Sequence, residues 1–334
     1  MSARITPCRM TSRIIQAVAN IAKNIGRLEG THLIQPDLRL RRKTRIQTVQ
    51  ASLGIEGNTL TQGQITALLD NKRVIGPQKE ITEVKNALAA YQQLAEFKIF
   101  SMNSFLKAHA VMMNGLVGHL GSFRHSPIGV LRENKIFHTA PDWEYVESMM
   151  QALFRYLGES EDHPLIKSSR FHFQLEHIHP FLDGNGRMGR LWQTCLLMQY
   201  HPVFESLPVE RLIYKNRHEY YRALAKGDDT GDCTEFITFI LDQIALSLTS
   251  LTEDMRGITL TAEKRLEIAR KAFAEKRFSR KDYQKLLKTI STATASRDLN
   301  KGVSLDLLAR TGDKRTTVYR FRFDNHDLGY IGAS

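Results

Sequence analysis

The sequence predicts an all-α protein that carries a small β-hairpin in its central part. Apolar residues recur at close to the 3.6-residue period of a helix through most of the chain, for example in RIIQAVANIAKNIGRL and EITEVKNALAAYQQLAEF. The convincing strand pair is confined to Pro127–Thr139, where IGVLR and IFHT flank a short ENK turn. Neither a repeat nor a low-complexity tract interrupts this pattern.

Helix signals follow one another along residues 1–100, which we assign to an N-terminal helical region. A first amphipathic helix is followed by a break at Pro36 and by a basic helix that ends near Gly57, where a left-handed glycine would fit. The TQGQ capping box at Thr61 opens the next helix. Residues 101–250 contain the hairpin, and the helical period is present on both sides of it. We assign this range to the central core of the protein.

The C-terminal part, residues 260–334, is basic. Between residues 261 and 321 there are 16 Lys and Arg and seven Asp and Glu, so nine of the twelve net positive charges lie there. Three predicted helices and a hairpin that turns at Gly312–Asp313 resemble a winged helix-turn-helix. Such a module lays its third helix in the DNA major groove. DNA is therefore a candidate partner, through Arg297, Lys301 and, on the wing, Arg315; protein docking or dimerisation is the alternative.

Composition also excludes several classes of protein. The cysteines, Cys8, Cys195 and Cys233, are too few and too widely spaced for a disulfide framework or a cysteine zinc site. The N-terminus lacks the apolar core of a secretory signal. The apolar run FITFILDQIALSL is broken by Asp242 and Gln243 and is shorter than the ~18 residues of a membrane span. We therefore expect a cytoplasmic protein that does not enter a membrane.

The segment HPFLDGNGRMGR, His179–Arg190, concentrates groups that bind a polyphosphate. Gly184 and Gly186 let backbone N–H groups approach anionic oxygens. A helix that begins near Gly184 would add free donors and positive potential. Arg187 and Arg190, three residues apart, share one face of that helix and can bind neighbouring phosphates.

Two further side chains of this segment supply metal and acid–base chemistry. Asp183 is the carboxylate available to the Mg²⁺ that accompanies a triphosphate such as ATP. His179, with an unperturbed pKa near ~6.5, is the natural general base for an attacking hydroxyl. Base, metal ligand and phosphate site together predict nucleotidyl or phosphoryl transfer.

The segment resembles the signature of the Fic (Fido) family, H-x-F-x-[DE]-G-N-G-R-x-x-R. The resemblance continues upstream into GSFRHSPIGVLRENKIFHTAP, which is similar to the flap hairpin of that family, and downstream into NRHEYYRAL, so that it covers about residues 106–241. It implies a helical Fic core and protein adenylyltransferase (AMPylation) activity, in which AMP from ATP is placed on a Ser, Thr or Tyr hydroxyl. All fixed positions match, namely His179, Phe181, Asp183, Gly184, Asn185, Gly186, Arg187 and Arg190.

The resemblance implies a role for each charged residue of the motif. His179 is the base that activates the target hydroxyl. Asp183 holds Mg²⁺ between the α- and β-phosphates of ATP. Arg187 stabilises the leaving phosphates, and Arg190 meets the γ-phosphate.

It also implies roles for the uncharged residues. Asn185 and the Gly184–Gly186 backbone form the anion hole, and Phe181 packs in the core. Tyr220 and Tyr221 match an aromatic pair beside the adenine, and packing as ordinary helix aromatics is their alternative. Some members of the family carry an Asn near the ribose or base a few residues later. This chain has Asp228 there, so it departs from the family pattern at one nucleotide contact.

The flap is implied to bind the target by strand addition through main-chain hydrogen bonds. This mode places the hydroxyl without demanding a particular side chain, so the target protein, which includes the chain itself as a candidate, is not identified. A homodimer is compatible with the sequence. The flap residues are Lys135, Ile136, Phe137 and His138.

A second segment, SLGIEGN, fits the pattern [ST]-x-x-x-E-[GN], which marks an inhibitory helix in Fic proteins. Ser52 and Glu56 lie on one helix face at i and i+4. Glu56 is implied to pair with Arg190 and to occupy the place of the γ-phosphate, so that ATP binds in a non-productive pose. The resemblance thus implies an autoinhibited enzyme.

Other functions stay open with less support. A glutamate at the position of Glu56 orients water in some relatives, so removal of AMP from a target is one alternative. A DNA-binding regulator whose core only senses ATP is another, although such a sensor has no use for His179. A Doc-type phosphotransferase is disfavoured because Gly186 and Arg187 keep the AMP-transfer pattern. A metal hydrolase built on HFQLEHIH has the wrong ligand spacing, and His172 and His177 in that stretch are predicted to be packed or helix-surface residues.

Overall fold

The described part of the chain is mostly helical and has two small antiparallel sheets of two strands each, which confirms the predicted fold class. It divides into two compact units, residues 1–26 with 35–251 and residues 27–34 with 252–334, which are described separately. The computed structural model describes residues 5–30, 38–132, 135–256, 261–287, 290–313 and 316–322.

Five helices precede the hairpin, and their ends follow the predicted signals. Gly57 lies just beyond the second helix with a left-handed φ of 95°. Thr61 caps the third helix: its hydroxyl accepts from the amide of Gln64, while Oε1 of Gln64 accepts from the amide of Thr61. The helices are α1 Ser12–Gly30, α2 Leu38–Ile55, α3 Gln62–Leu69, α4 Gln78–Gln92 and α5 Met102–Met112.

The predicted hairpin is present. Strand β1, Gly129–Arg132, pairs with strand β2, Lys135–Thr139, and the pairing shifts register between Val130 and Leu131. The four predicted flap residues all lie in β2, and their side chains fall outside the described part of the structure.

Among the described residues up to Arg256, six α-helices follow the hairpin. Phe181, in the loop between the second and third of them, is fully buried and stacks on Phe105, with ring centroids 5.5 Å apart, and on His109, at 3.7 Å. Burying a phenylalanine contributes about 1.5–3 kcal/mol, and Phe181 thereby anchors the motif in the core, as predicted. The helices are α6 Val146–Glu159, α7 Pro164–Ile178, α8 Asn185–Tyr200, α9 Val209–Lys215, α10 Arg217–Thr230 and α11 Thr234–Arg256.

Helix α11 contains a stretch, Thr234–Thr252, that is long and apolar enough to cross a bilayer by length and composition alone. Just over half of that stretch, 56%, is buried within the fold, as is usual for a core helix. Phe236, Ile240, Ile244 and Leu248, spaced four residues apart, form its fully buried face. The expected absence of a membrane segment stays a prediction.

The second unit contains the predicted helices and hairpin around a small apolar core. Gly312 makes the turn with a φ of 85°, where a Cβ would lie 2.5 Å from the carbonyl oxygen of Thr316. Arg315, the predicted wing residue, lies outside the described residues, and the winged-helix assignment stays a prediction. The elements are α12 Ala262–Phe273, α13 Arg280–Leu287, α14 Thr292–Ser304, β3 Leu308–Thr311 and β4 Val318–Phe321.

Candidate active site

His179 ends helix α7 in an unusual backbone conformation. Its φ of 49° and ψ of 59° are left-handed, a region that costs a non-glycine residue roughly 1–3 kcal/mol. Its amide donates to the carbonyl of Leu175 (2.9 Å), and its carbonyl accepts from Nε of Arg124 (2.9 Å). The residue as a whole is half-buried. The predicted base thus sits on a turn that is fixed from both sides.

Helix α8 begins where the phosphate site was predicted. Gly184 precedes it with a φ of 92°, a conformation that favours glycine, and a Cβ there would lie 2.7 Å from Sδ of Met113, so that the Met113 side chain would have to shift. The Asn185 side chain bonds the backbone of Phe181 on both sides, accepting from its amide (2.9 Å) and donating to its carbonyl (2.8 Å). The side-chain amide of Asn185 therefore holds the loop between α7 and α8 together. Its predicted contribution to an anion hole would come from its backbone N–H, because the side-chain amide is already used.

Arg187 and Asp183 pair across one turn at the mouth of the site. Oδ1 of Asp183 accepts from Nη2 of Arg187 and from the amide of Gly184, both at 2.6 Å. Burial alone would raise the pKa of Asp183, but Arg187 and the Gly184 amide outweigh it and hold that pKa below its ordinary value. The Asp183 carboxylate is thus ionised at neutral pH, and its side chain is about half exposed (47%).

Arg187 is almost wholly buried. Its Nη1 lies 3.6 Å from Oε1 of Glu83 on α4, a residue that no sequence motif singled out. Among the residues that the structure describes, the buried Nε of Arg187 has no hydrogen-bond partner. A buried guanidinium with an unused donor is a feature of a site that takes an anion.

The predicted pair between Glu56 and Arg190 is present. Nη2 of Arg190 lies 2.7 Å from Oε1 of Glu56, and it also donates to the carbonyl of Ser52 (3.0 Å). Nε of Arg190 donates to the hydroxyl of Ser52 (3.0 Å). A Cβ on Gly186 would lie 2.5 Å from Oε1 of Glu56. The Glu56 carboxylate therefore occupies the space beside the bare Gly186 backbone, next to the guanidinium predicted to meet the γ-phosphate.

The two tyrosines of α10 have different surroundings. Tyr220 is buried, and its hydroxyl lies 3.1 Å from Nε2 of His172 and 3.3 Å from Oε1 of Glu176. This burial favours the alternative that Tyr220 is a packed helix aromatic, and its place beside the adenine stays a prediction. Tyr221 is half-buried, its hydroxyl donates to the carbonyl of Ile55 (3.4 Å), and it stays the candidate.

The other histidines of HFQLEHIH are one packed and one helix-surface residue, the two kinds of position that were predicted for them. His172 is fully buried, and its Nδ1 lies 2.7 Å from Oε1 of Gln193. His177 contacts Asp228 at 2.6 Å, which gives this departure from the family pattern a structural partner. The described residues contain no cluster of three His, Cys, Asp or Glu that would form a metal site made of protein ligands alone.

His109 is a site residue that sequence reasoning missed. Its Nδ1 accepts from the amide of Gly121 (3.1 Å), so the opposite nitrogen, Nε2, donates to the carbonyl of Asp183 (3.1 Å). The ring is buried and stacks on Phe181. These contacts fit a neutral imidazole that holds the backbone of the motif loop.

Comparisons with known proteins identify relatives of this chain. Residues 99–197 match the model of the Fic/DOC family. The chain is 28% identical over 214 residues to proteins named Protein adenylyltransferase Fic from Drosophila yakuba and Drosophila melanogaster. Those alignments cover 61% of this chain and 41% of each relative, so the chain spans about two fifths of their length.

Solved structures share the fold. A Fic family protein from Desulfovibrio desulfuricans G20 superposes with a TM-score of 0.71 at 36% identity, covering 95% of this chain and 98% of that one. Fic-1 from C. elegans (residues 134–508) superposes with a TM-score of 0.60 at 23% identity, covering 72% and 73%. The second similarity concerns the fold alone.

Proposed function

This chain belongs to the Fic family, and we propose that it is a protein adenylyltransferase, which transfers AMP from ATP to a Ser, Thr or Tyr hydroxyl of a protein. The observation that carries the proposal is that His179 and Asp183, in the segment before α8, adjoin Arg187 and Arg190 on the first two turns of that helix. A helix N-terminus with two buried guanidiniums is a site for phosphates. The name of the Drosophila relatives supports the same activity.

The chemistry assigned to these residues is a displacement at the α-phosphorus of ATP. His179 takes the proton from the target hydroxyl, the hydroxyl oxygen forms a bond to the α-phosphorus, and the bond to the β-phosphate oxygen breaks. Pyrophosphate leaves with the electron pair of that bond. Arg187 and the free amides at the start of α8 stabilise the negative charge on the leaving group.

Mg²⁺ is part of the proposal, and the site fits it. Mg²⁺ is commonly bound through one or two carboxylates together with substrate phosphates and water. Asp183 offers one half-exposed, ionised carboxylate beside the phosphate site, which matches this mode. When bound, the ion would neutralise phosphate charge. Asp183 would be the residue that holds it, and Arg187 would face the phosphates.

Autoinhibition by Glu56 belongs to the same proposal. Glu56 contacts Arg190, so a γ-phosphate bound there would compete with a carboxylate for one guanidinium. Removal of AMP remains the alternative activity, with Glu56 orienting water. Release of AMP from a previously modified protein by the wild-type chain, and not by Glu56→Gly, would favour that alternative.

The proposal is tested with ATP labelled on either the α- or the γ-phosphate. Incubation of the Glu56→Gly protein with Mg²⁺ is expected to place the α-label, and not the γ-label, on protein. Transfer of the γ-label would indicate a phosphotransferase and would overturn the proposal.

DNA binding by the second unit is a separate hypothesis, supported by an exposed Arg297 on α14. Lys301 on the same helix pairs with Glu263, so its use on a DNA phosphate requires that this pair break. A gel-shift with duplex DNA that weakens as salt rises would support DNA binding. A dimer in solution would support the alternative of protein docking.

A further inference from the structure

We infer that Arg124 is a positioning residue that couples the flap hairpin to the turn carrying His179, an inference that rests on the proposed AMP transfer. Arg124 lies in the loop before β1, and it is 2% exposed. Its amide donates to the carbonyl of Pro180 (2.8 Å), its Nε to the carbonyl of His179 (2.9 Å) and its Nη2 to the carbonyl of Ile178 (3.4 Å). One residue thus binds three consecutive carbonyls of the catalytic turn.

The same guanidinium also binds both ends of the hairpin. Nη1 of Arg124 donates to the carbonyl of Ser126 (3.0 Å), which precedes β1. Its Nη2 donates to the carbonyl of Pro141 (2.5 Å), which follows β2. The two chain segments that lead into and out of the flap therefore meet on the group that fixes the backbone of His179.

The chemistry of these contacts explains why the residue is arginine. A buried charge is costly unless its donors are satisfied. Here the described hydrogen bonds of the Arg124 guanidinium all go to main-chain carbonyls, and those of Ile178 and His179 lie at the negative end of the α7 dipole. The planar fork reaches carbonyls on several sides at once, whereas a lysine ammonium is a single point of donation. Lysine at this position would therefore keep the charge but could not reach all of these carbonyls at once.

The consequence concerns the target rather than ATP. A target bound to the flap by main-chain hydrogen bonds has its hydroxyl placed by the position of β2, and the base is placed by the turn at His179. An error of about 1 Å between reacting groups costs on the order of 10²-fold in rate. Because Arg124 fixes both the hairpin ends and the turn, it sets the distance between target and base. The phosphate-binding side chains Arg187 and Arg190 have other partners, so ATP binding is expected not to depend on Arg124.

The test compares arginine variants in the Glu56→Gly protein. Arg124→Lys is expected to lower kcat/KM for AMP transfer to protein about 10- to 100-fold, while calorimetry gives an unchanged Kd for a non-hydrolysable ATP analogue. Arg170→Lys is the matched control. Arg170 is also largely buried and bonds a main-chain carbonyl, that of Thr6 (2.8 Å), and it pairs with Asp162 (3.0 Å) away from the flap. Transfer by this control is expected to match the parent.

Hydrogen–deuterium exchange provides a second readout that does not depend on activity. Arg124→Lys is expected to speed exchange in residues 129–139 and 179–184 together, relative to Arg170→Lys. Equal transfer rates for the two lysine variants, or unchanged exchange in both segments, would overturn the inference. If the Glu56→Gly protein transfers no AMP, the proposed function is wrong. The coupling of the hairpin to the His179 turn is then tested by hydrogen–deuterium exchange alone.

Discussion

Glu56 and Arg190, 134 residues apart in sequence, form an ion pair of 2.7 Å that joins the end of α2 to the phosphate-binding helix α8. The guanidinium is 1% exposed and the carboxylate 32%. Burial alone would lower the pKa of Arg190, but Glu56 outweighs it and raises that pKa, so the guanidinium keeps its charge. The contact is lost when Glu56 moves away or is replaced.

Replacing Glu56 is expected to activate the enzyme. A hydrogen bond to a charged group contributes about 1.5–3 kcal/mol, and partial exposure of Glu56 favours the lower end. Glu56→Gly should therefore raise AMP incorporation at least about tenfold. Ser52→Ala, which removes one of the bonds to Arg190 and leaves Glu56 in place, should give a smaller rise. Equal rates in wild type and Glu56→Gly would show that the pair does not inhibit.

Glu83 is expected to support Arg187 during transfer. It lies 3.6 Å from Arg187 and accepts from Nδ2 of Asn58 (2.9 Å), so it bridges the loop after α2 and the leaving-group arginine. In the Glu56→Gly background, Glu83→Gln should lower kcat about fivefold, the equivalent of about 1 kcal/mol. Glu80→Gln is the control, because Glu80 lies on the same helix and bonds Thr59. An equal loss in both variants would point to α4 as a whole rather than to Glu83.

His109 is expected to make stability depend on pH. Burial lowers the pKa of His109 in the folded protein, whereas in the unfolded chain it is about 6.5. The unfolded chain therefore takes up a proton first as pH falls, and the stability that neutral His109 contributes above pH ~6.5 is lost below it. His109→Gln, which does not titrate, should lose less stability between pH 7 and pH 5, as measured by denaturant unfolding. A parallel pH dependence in both proteins would contradict this role.

The two tyrosines of α10 are expected to respond in opposite ways. Tyr220→Phe leaves buried His172 and Glu176 without a partner hydroxyl, so it should destabilise the fold by about 1–3 kcal/mol. Tyr221→Ala should instead weaken ATP binding about fivefold, the equivalent of about 1 kcal/mol of stacking. Chemical unfolding and calorimetry of both variants separate the effects. If Tyr220→Phe weakened ATP binding and Tyr221→Ala destabilised the fold, Tyr220 would be the tyrosine beside the nucleotide.

The sequence predicted the parts of the site that are close along the chain. His179, Asp183, Arg187 and Arg190 lie within one turn and the helix after it, so their proximity follows from local structure. Gly184 in the sequence marked the predicted start of that helix. In the structure its backbone is left-handed, a conformation that glycine adopts readily. The distant partner Glu56 was predictable because its own short pattern accompanies the motif.

The rest depends on how helices pack against each other. Glu83, His109 and Arg124 reach the site from α4, α5 and the loop before β1, and a helical period tells which face is buried but not which partner it meets. Tyr220 and Tyr221 are adjacent in sequence and equally aromatic. Their difference arises because Tyr220 packs against His172 and Phe236 from other helices.

The most direct test of the central claim measures single-turnover AMP transfer by Glu56→Gly and by Glu56→Gly/His179→Ala, with binding of an ATP analogue measured in parallel. General base catalysis typically contributes 10²- to 10⁴-fold, so the double variant should lose at least about 10²-fold in transfer while its Kd for the analogue stays unchanged. Undiminished transfer without the imidazole would contradict the account.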